Sequence, residues 1–166
     1  VDPILQGLKT NPEPQPADLI ERLAAYYAVV QTKILVTRGS DEGIDLLLRA
    51  FCRAGQDAIV ITPPTYGMYA VSAAIQNARV IPVPLVAEKN FALNPDAVLG
   101  AVTAEVKLVF LCSPNNPTGA LLDRAAVWRI IRAVLGRAVV VVDEAYLEFA
   151  GGPSLADELA AHPNLV

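Results

Sequence analysis

Residues 106–142 read VKLVFLCSPNNPTGALLDRAAVWRIIRAVLGRAVVVV, and this stretch decides the fold. Val106-Lys107-Leu108-Val109-Phe110-Leu111 is a strand-forming run, and residues 113–119 are a loop rich in turn residues. Residues 123–135 carry Val127, Ile130, Ile131 and Val134 at helical spacing. Residues 138–142, with four consecutive valines, are the strongest strand in the sequence. A strand, a helix and a strand of these lengths make a crossover unit whose two strands lie parallel. Runs that are apolar at nearly every position are covered on both faces. The unit therefore belongs to a sheet with helices on either side.

The same alternation extends toward the start of the chain. Ala58-Ile59-Val60-Ile61 is a continuously apolar strand stopped by Pro63-Pro64, and residues 66–76 read as a helix. Val80-Ile81-Pro82-Val83 is a strand that Pro82 confines to an edge, and residues 95–102 are a short helix with Pro95 in its first turn. Ile34-Leu35-Val36-Thr37 is expected to form a short strand. Ser40 is then the expected N-cap of a helix with the stripe Ile44, Leu47, Leu48 and Phe51. Leu19, Ile20, Leu23, Ala24 and Tyr27 mark an earlier helix. The prolines of Asn11-Pro12-Glu13-Pro14-Gln15-Pro16 make residues 1–16 an extended entry arm. The expected fold is α/β over residues 17–166: three layers, α/β/α, around a mostly parallel sheet.

Composition narrows the function classes. A chain of 166 residues is one domain with a sizeable core. With 54% hydrophobic and 18% charged residues, it does not have the composition of a disordered chain. A net charge of −4 and the lack of a basic run argue against nucleic acid and leave a small molecule as the expected partner. No apolar run approaches the ~20 residues of a membrane span, and no basic leader opens the chain, so a cytoplasmic protein away from membranes is expected. Cys52 and Cys112 sit in apolar stretches without CxxC spacing and read as reduced core thiols. His162 is the only histidine; in its Ala-His-Pro setting it reads as a surface residue, and a structural zinc site or a histidine triad is excluded. The chain opens on Val1 rather than Met, and Leu165-Val166 reads as the start of another strand, so both ends read as cut.

In parallel sheets, ligands bind at the carboxyl ends of the strands, and four segments there could carry chemistry. Arg38-Gly39-Ser40-Asp41-Glu42 joins a glycine to a helix start: it is either an anion site of exposed amides with the Ser40 hydroxyl, or an ordinary N-cap with acids in its first turn. Tyr66, in Pro63-Pro64-Thr65-Tyr66-Gly67, offers a ring to a planar heterocycle or caps the core. Asn116, in Ser113-Pro114-Asn115-Asn116-Pro117-Thr118-Gly119, is a fixed amide that meets a ligand oxygen or completes a turn. Asp143, at the end of the valine strand and three residues before Tyr146, needs a positive partner. A ligand with a protonated ring nitrogen or a distant arginine would serve, or the carboxylate is simply solvated at the strand end.

Together with Pro12-Glu13-Pro14-Gln15-Pro16, Met68-Tyr69 and Asp143-Glu144-Ala145-Tyr146, these segments run in the order of a known family. The chain resembles the fold-type I pyridoxal-phosphate aminotransferases, and within them the histidinol-phosphate aminotransferases, over its whole length. The resemblance implies an incomplete large domain and pyridoxal 5′-phosphate as cofactor. Asp143 would pair with the pyridine nitrogen, Asn116 and Tyr146 would reach the phenolic oxygen, Tyr66 would stack on the ring, and Ser40 and Asp41 would receive the phosphate. It also implies an amino donor and a keto acceptor, L-glutamate/2-oxoglutarate and histidinol phosphate/imidazole-acetol phosphate, and a homodimer for the complete enzyme. Related decarboxylases of threonine phosphate, aromatic aminotransferases, and non-catalytic cofactor-sensing domains of transcription regulators share such loops and stand as alternatives. In two respects the sequence departs from the family: Asn11 stands where a tyrosine is usual, and none of Lys9, Lys33, Lys89 and Lys107 lies in the Ser-x-x-Lys setting of the Schiff-base lysine. Residues 1–166 alone are therefore expected to be inactive.

Overall fold

A computed structural model describes residues 15–166. The expected entry arm, Gln15 and Pro16 apart, lies outside the described residues, as does Asn11. Four strands, β1 (Ala58–Ile61), β2 (Arg79–Pro82), β3 (Val106–Cys112) and β4 (Val139–Asp143), form one sheet in the order β2-β1-β3-β4. All three pairings are parallel. Pro82 stands on the edge strand, where a missing N–H is tolerated. Beyond β4, Leu165 bridges Val140 in parallel as an isolated pair, and the Val142 N–H donates to the Val166 carbonyl at 2.8 Å.

The helices are α1 (Ala17–Tyr27), α2 (Ser40–Phe51), α3 (Met68–Ile75), α4 (Pro95–Ala101), α5 (Arg124–Ala133) and a single turn, α6 (Leu147–Ala150). Two of them start on side chains that satisfy free amides: Asn94 accepts from the Ala97 N–H at 3.1 Å, and Asp123 accepts from Ala125 and Ala126. The period-2 alternation of β3 sorts the other layers. Leu108, Phe110 and Cys112 pack with Ile44 and Leu48 of α2 and Tyr69 and Ala73 of α3. Val109 and Leu111 pack with Val98 of α4 and Val127, Ile130 and Ile131 of α5. The result is the expected three-layer α/β/α arrangement. Each fully buried Val, Leu or Ile contributes roughly 1.5–3 kcal/mol, so these two faces supply most of the drive to fold. Among the described residues, no helix is long and apolar enough to cross a membrane.

Three expectations are corrected. Residues 34–37 do not form a strand. The Gln15 amide instead takes the place of a neighbouring strand, donating to the Val36 carbonyl and accepting from the Val36 N–H, both at 2.9 Å. Ser40 is not an N-cap but the first helical residue; Gly39 is the cap, at φ 79° and ψ 176°, a conformation open almost only to glycine. His162 is half-buried rather than on the surface, its ring 4.8 Å from that of Trp128.

The amino end of the sheet is closed by charge. Asp57, 1% exposed just before β1, accepts from the Arg53 backbone N–H and guanidinium at 2.8–2.9 Å, with the Lys107 ammonium at 3.9 Å. The hydrogen bonds from Arg53 hold its carboxyl well below the usual carboxylate range. A depressed folded-state pKa gives stability that is present above the unfolded value of about 3.9 and is lost as pH falls below it. Urea midpoints measured across the acid range should therefore fall more steeply for the parent than for Asp57→Asn, which is less stable at neutral pH.

Candidate functional site

At the opposite, carboxyl end of the sheet, β1, β3 and β4 run out around one small recess. It is lined by Ser40, Tyr66, Cys112, Asn116, Asp143, Ala145 and Tyr146, with a volume of about 80 Å³. That is room for the edge of a planar ring rather than for a whole ligand. The chain goes from β1 outward to β2 and then crosses to β3 on the other side of β1, and at such a reversal the loops part to leave a crevice. A larger hollow of about 460 Å³ lies on the other side of β4, but its acids are already engaged: Glu144 by Ser154 and Leu155, and Glu148 by the Tyr27 hydroxyl.

The β4 alternation decides which acid faces the recess. Val140 and Val142 pack on the α4/α5 side, and Val139 and Val141 on the α2/α3 side, so Asp143 falls on the α2/α3 side and Glu144 on the other. Asp143 is half-buried. Its Oδ1 accepts from the Ala145 N–H at 3.0 Å, and its Oδ2 accepts from the Tyr69 hydroxyl at 2.6 Å. Among the described residues, it takes part in no ion pair. A carboxylate drawn partly out of water without a cation is costly unless a positive group arrives.

Around it stand an aromatic face and an uncapped helix start. The Tyr66 hydroxyl donates to Asp41 Oδ1 at 2.9 Å, which fixes the ring and occupies that carboxylate. Glu42 turns back to Arg38, accepting from its backbone N–H at 2.6 Å and from its guanidinium at 2.7 Å. Both first-turn acids of α2 are thus engaged, and among the described residues no side chain caps its first amides. Those amides, the positive end of the helix dipole and the Ser40 hydroxyl remain available to an anion. Among the residues expected at the site, Asp41 alone does not line the recess; it acts on Tyr66 from behind.

The two loops that carry Tyr66 and Asn116 are tied by a residue that the sequence did not single out. Asn115, 2% exposed, donates from Nδ2 to the Pro64 carbonyl at 2.8 Å and to Thr118 Oγ1 at 2.9 Å. Its Oδ1, and Thr65 Oγ1 in the other loop, are buried without a hydrogen-bond partner among the described residues. Cys112, also unforeseen, forms part of the floor; burial raises its thiol pKa and keeps it a neutral, unreactive wall. Cys52 lies in the core, its thiol pushed up to about 11 by burial. Among the described residues, no lysine lines the recess. Among the described residues, no three metal-binding side chains come together.

Against known proteins, residues 5–166 match the family model for aminotransferase class I and II. The chain belongs to that family. Its members are pyridoxal-phosphate-dependent transferases. The chain is 51% identical over 161 residues to histidinol-phosphate aminotransferase of Xylella fastidiosa (strain 9a5c), an alignment covering 96% of this chain and 44% of that protein. Among solved structures, it is similar to the putative histidinol-phosphate aminotransferase from Erwinia carotovora atroseptica, with a TM-score of 0.79 and 30% identity over 89% of this chain and 44% of the other. Tyrosine aminotransferase from Leishmania infantum shares the fold, with a TM-score of 0.81 at 23% identity over 93% of this chain and 42% of the other. The chain thus spans a little under half the length of these relatives.

Removing the Asn115 amide takes away its hydrogen bonds to the Pro64 carbonyl and to Thr118, each worth about 0.5–1.5 kcal/mol. Asn115→Ala is therefore expected to lower the urea unfolding midpoint and, through the loosened loops, ligand affinity as well; an unchanged midpoint would show that the amide does not tie the loops.

Proposed function

We propose that the complete protein is a pyridoxal-phosphate-dependent transaminase acting between L-glutamate/2-oxoglutarate and histidinol phosphate/imidazole-acetol phosphate, and that residues 17–166 supply part of its cofactor-binding domain. The observation that carries this reading is Asp143: a half-buried carboxylate at a strand end, without an ion pair among the described residues, beside a fixed aromatic ring and an uncapped helix start. That donor set fits the cofactor. It offers an anion for a cationic ring nitrogen, amide and hydroxyl donors for a phenolic oxygen, and helix amides for a phosphate.

When bound, pyridoxal phosphate supplies an electron-withdrawing ring that takes up the carbanion electrons of an amino acid. In this reading, the Asp143 carboxylate holds a proton on the ring nitrogen, where a hydrogen-bonded anion favours the charged form. The Asn116 amide and the Tyr146 hydroxyl donate hydrogen bonds to the phenolic oxygen. Tyr66 covers one face of the ring and keeps water from it. Ser40 and the amides of Ser40 and Asp41 take the phosphate, with the Asp41 carboxylate kept occupied by Tyr66.

The names of the relatives favour histidinol phosphate over the threonine-phosphate decarboxylase, aromatic and regulator alternatives. A homodimer in the cytoplasm belongs to the same proposal. In the complete protein, Asp143→Ala should lower transamination by at least about 100-fold, the scale of losing a preorganised electrostatic contact, while circular dichroism stays parental. Turnover near the parental value would remove Asp143 from the mechanism. Pyridoxal lacking the phosphate should bind much more weakly than pyridoxal phosphate in a fluorescence titration; equal affinities would count against the α2 site. Among amino donors, histidinol phosphate should exceed aromatic amino acids and phosphothreonine in kcat/KM.

A further inference from the structure

One buried polar group at the site is not used by the mechanism above. Tyr69, in α3, is 0% exposed and does not line the recess. Its ring stacks on Phe110 of β3 with centroids 4.7 Å apart and planes at 17°, and it meets Tyr66 edge-on at 5.7 Å. Packed on these two rings, the phenol cannot swing, and its hydroxyl ends 2.6 Å from Asp143 Oδ2. The other carboxylate oxygen is held at 3.0 Å by the Ala145 N–H, a turn that Asp143 makes on its own backbone. One donor on each oxygen fixes the plane of the carboxylate.

The chemistry of the second donor matters. A lysine or arginine behind Asp143 would fix the carboxylate and also neutralise it, leaving little attraction for a cation in the recess. A phenol fixes it and brings no charge. Desolvation, with the hydrogen bond to Asp143, drives the phenol well above its ordinary pKa, so at working pH it keeps its proton and brings no charge.

We propose that Tyr69 is a positioning residue: its hydroxyl holds the Asp143 carboxylate, still negative, in the orientation in which a protonated pyridine nitrogen meets it. This rests on the assignment of Asp143 to the ring nitrogen under Proposed function. Tyr69 touches neither cofactor nor substrate and acts through Asp143 alone.

The test is a double-mutant cycle on the complete protein, freed of cofactor, read as the dissociation constant for pyridoxal phosphate by fluorescence titration. Tyr69→Phe keeps the ring stack and removes only the donor. It should weaken binding roughly tenfold, in line with the loss of one hydrogen bond to a charged group. Asp143→Asn should weaken binding further, and adding Tyr69→Phe to Asp143→Asn should cost nothing more. If Tyr69→Phe lowers only the melting temperature and leaves the dissociation constant unchanged while Asp143→Asn weakens binding, Tyr69 has a purely structural role and the proposal is overturned. If Asp143→Asn itself binds as the parent does, the assignment of Asp143 falls, and this proposal with it. Should Tyr69→Phe not fold, the parent carries the test through the slowly exchanging hydroxyl proton of Tyr69, observed by NMR with labelled tyrosine. Its resonance should shift when pyridoxal phosphate is added to the apoprotein; a resonance indifferent to the cofactor overturns the proposal.

Discussion

The in-register pairing of Cys112 with Asp143 at the carboxyl ends of β3 and β4 is the constraint on which the site depends. The Ser113 N–H closes that register on the Asp143 carbonyl at 2.9 Å. Strand alternation then does the rest. With Phe110 and Cys112 on the α2/α3 face, Asp143 lands on the same face beside Tyr69, and Glu144 is sent to the other. A slip of one residue would exchange the two acids and bring Glu144 to the recess. The long apolar faces on either side of the sheet hold that register, so hydrophobic packing far from the recess determines which carboxylate the recess contains.

The two ends of the sheet treat an aspartate in opposite ways. Asp57, before β1, is surrounded by Arg53 donors with Lys107 nearby, so its charge is spent on holding the α2–β1 connection to the sheet. Asp143, at the end of β4, receives two neutral donors and no cation among the described residues. The first arrangement stabilises the fold and leaves no capacity for a ligand. The second leaves a directed negative charge, which is what a ligand with a cationic ring would use. Asp41 and Glu42 follow the same logic at the start of α2: each is occupied by a neighbour, and the helix amides between them stay free of side chains.

Much of this was legible because the decisive segments are nearly all apolar and closely spaced. The valines of β4 and the run from Val106 to Leu111 can only be covered strands, and the helix between them forces parallel pairing. Tyr66, Asn116, Asp143 and Tyr146 stood out because the loops after parallel strands are where ligands bind; Ser40 was singled out on the same ground although no strand precedes it, and all five share one recess. Residues 34–37 misled because a β-branched run signals strand wherever it occurs, and only the presence of a neighbour decides whether one forms. Ser40 misled because a glycine at positive φ took the cap one residue earlier. Tyr69 and Asn115 went unread for a different reason. Their roles depend on the phase between a helix and two strands, and on which of two adjacent asparagines turns inward, and neither is written in local spacing. For Tyr69 the only available signal was the Met68-Tyr69 pair that opens α3 just after Tyr66.

In the proposed function, Asp143 provides the negative partner of a protonated ring nitrogen. The most direct measurement is the ¹⁵N chemical shift of ring-labelled pyridoxal phosphate bound to the complete protein. The parent should show the shift of a protonated pyridine nitrogen, moving to the unprotonated position in Asp143→Ala. An unprotonated ring nitrogen in the parent, or a protonated one that Asp143→Ala leaves in place, would contradict it.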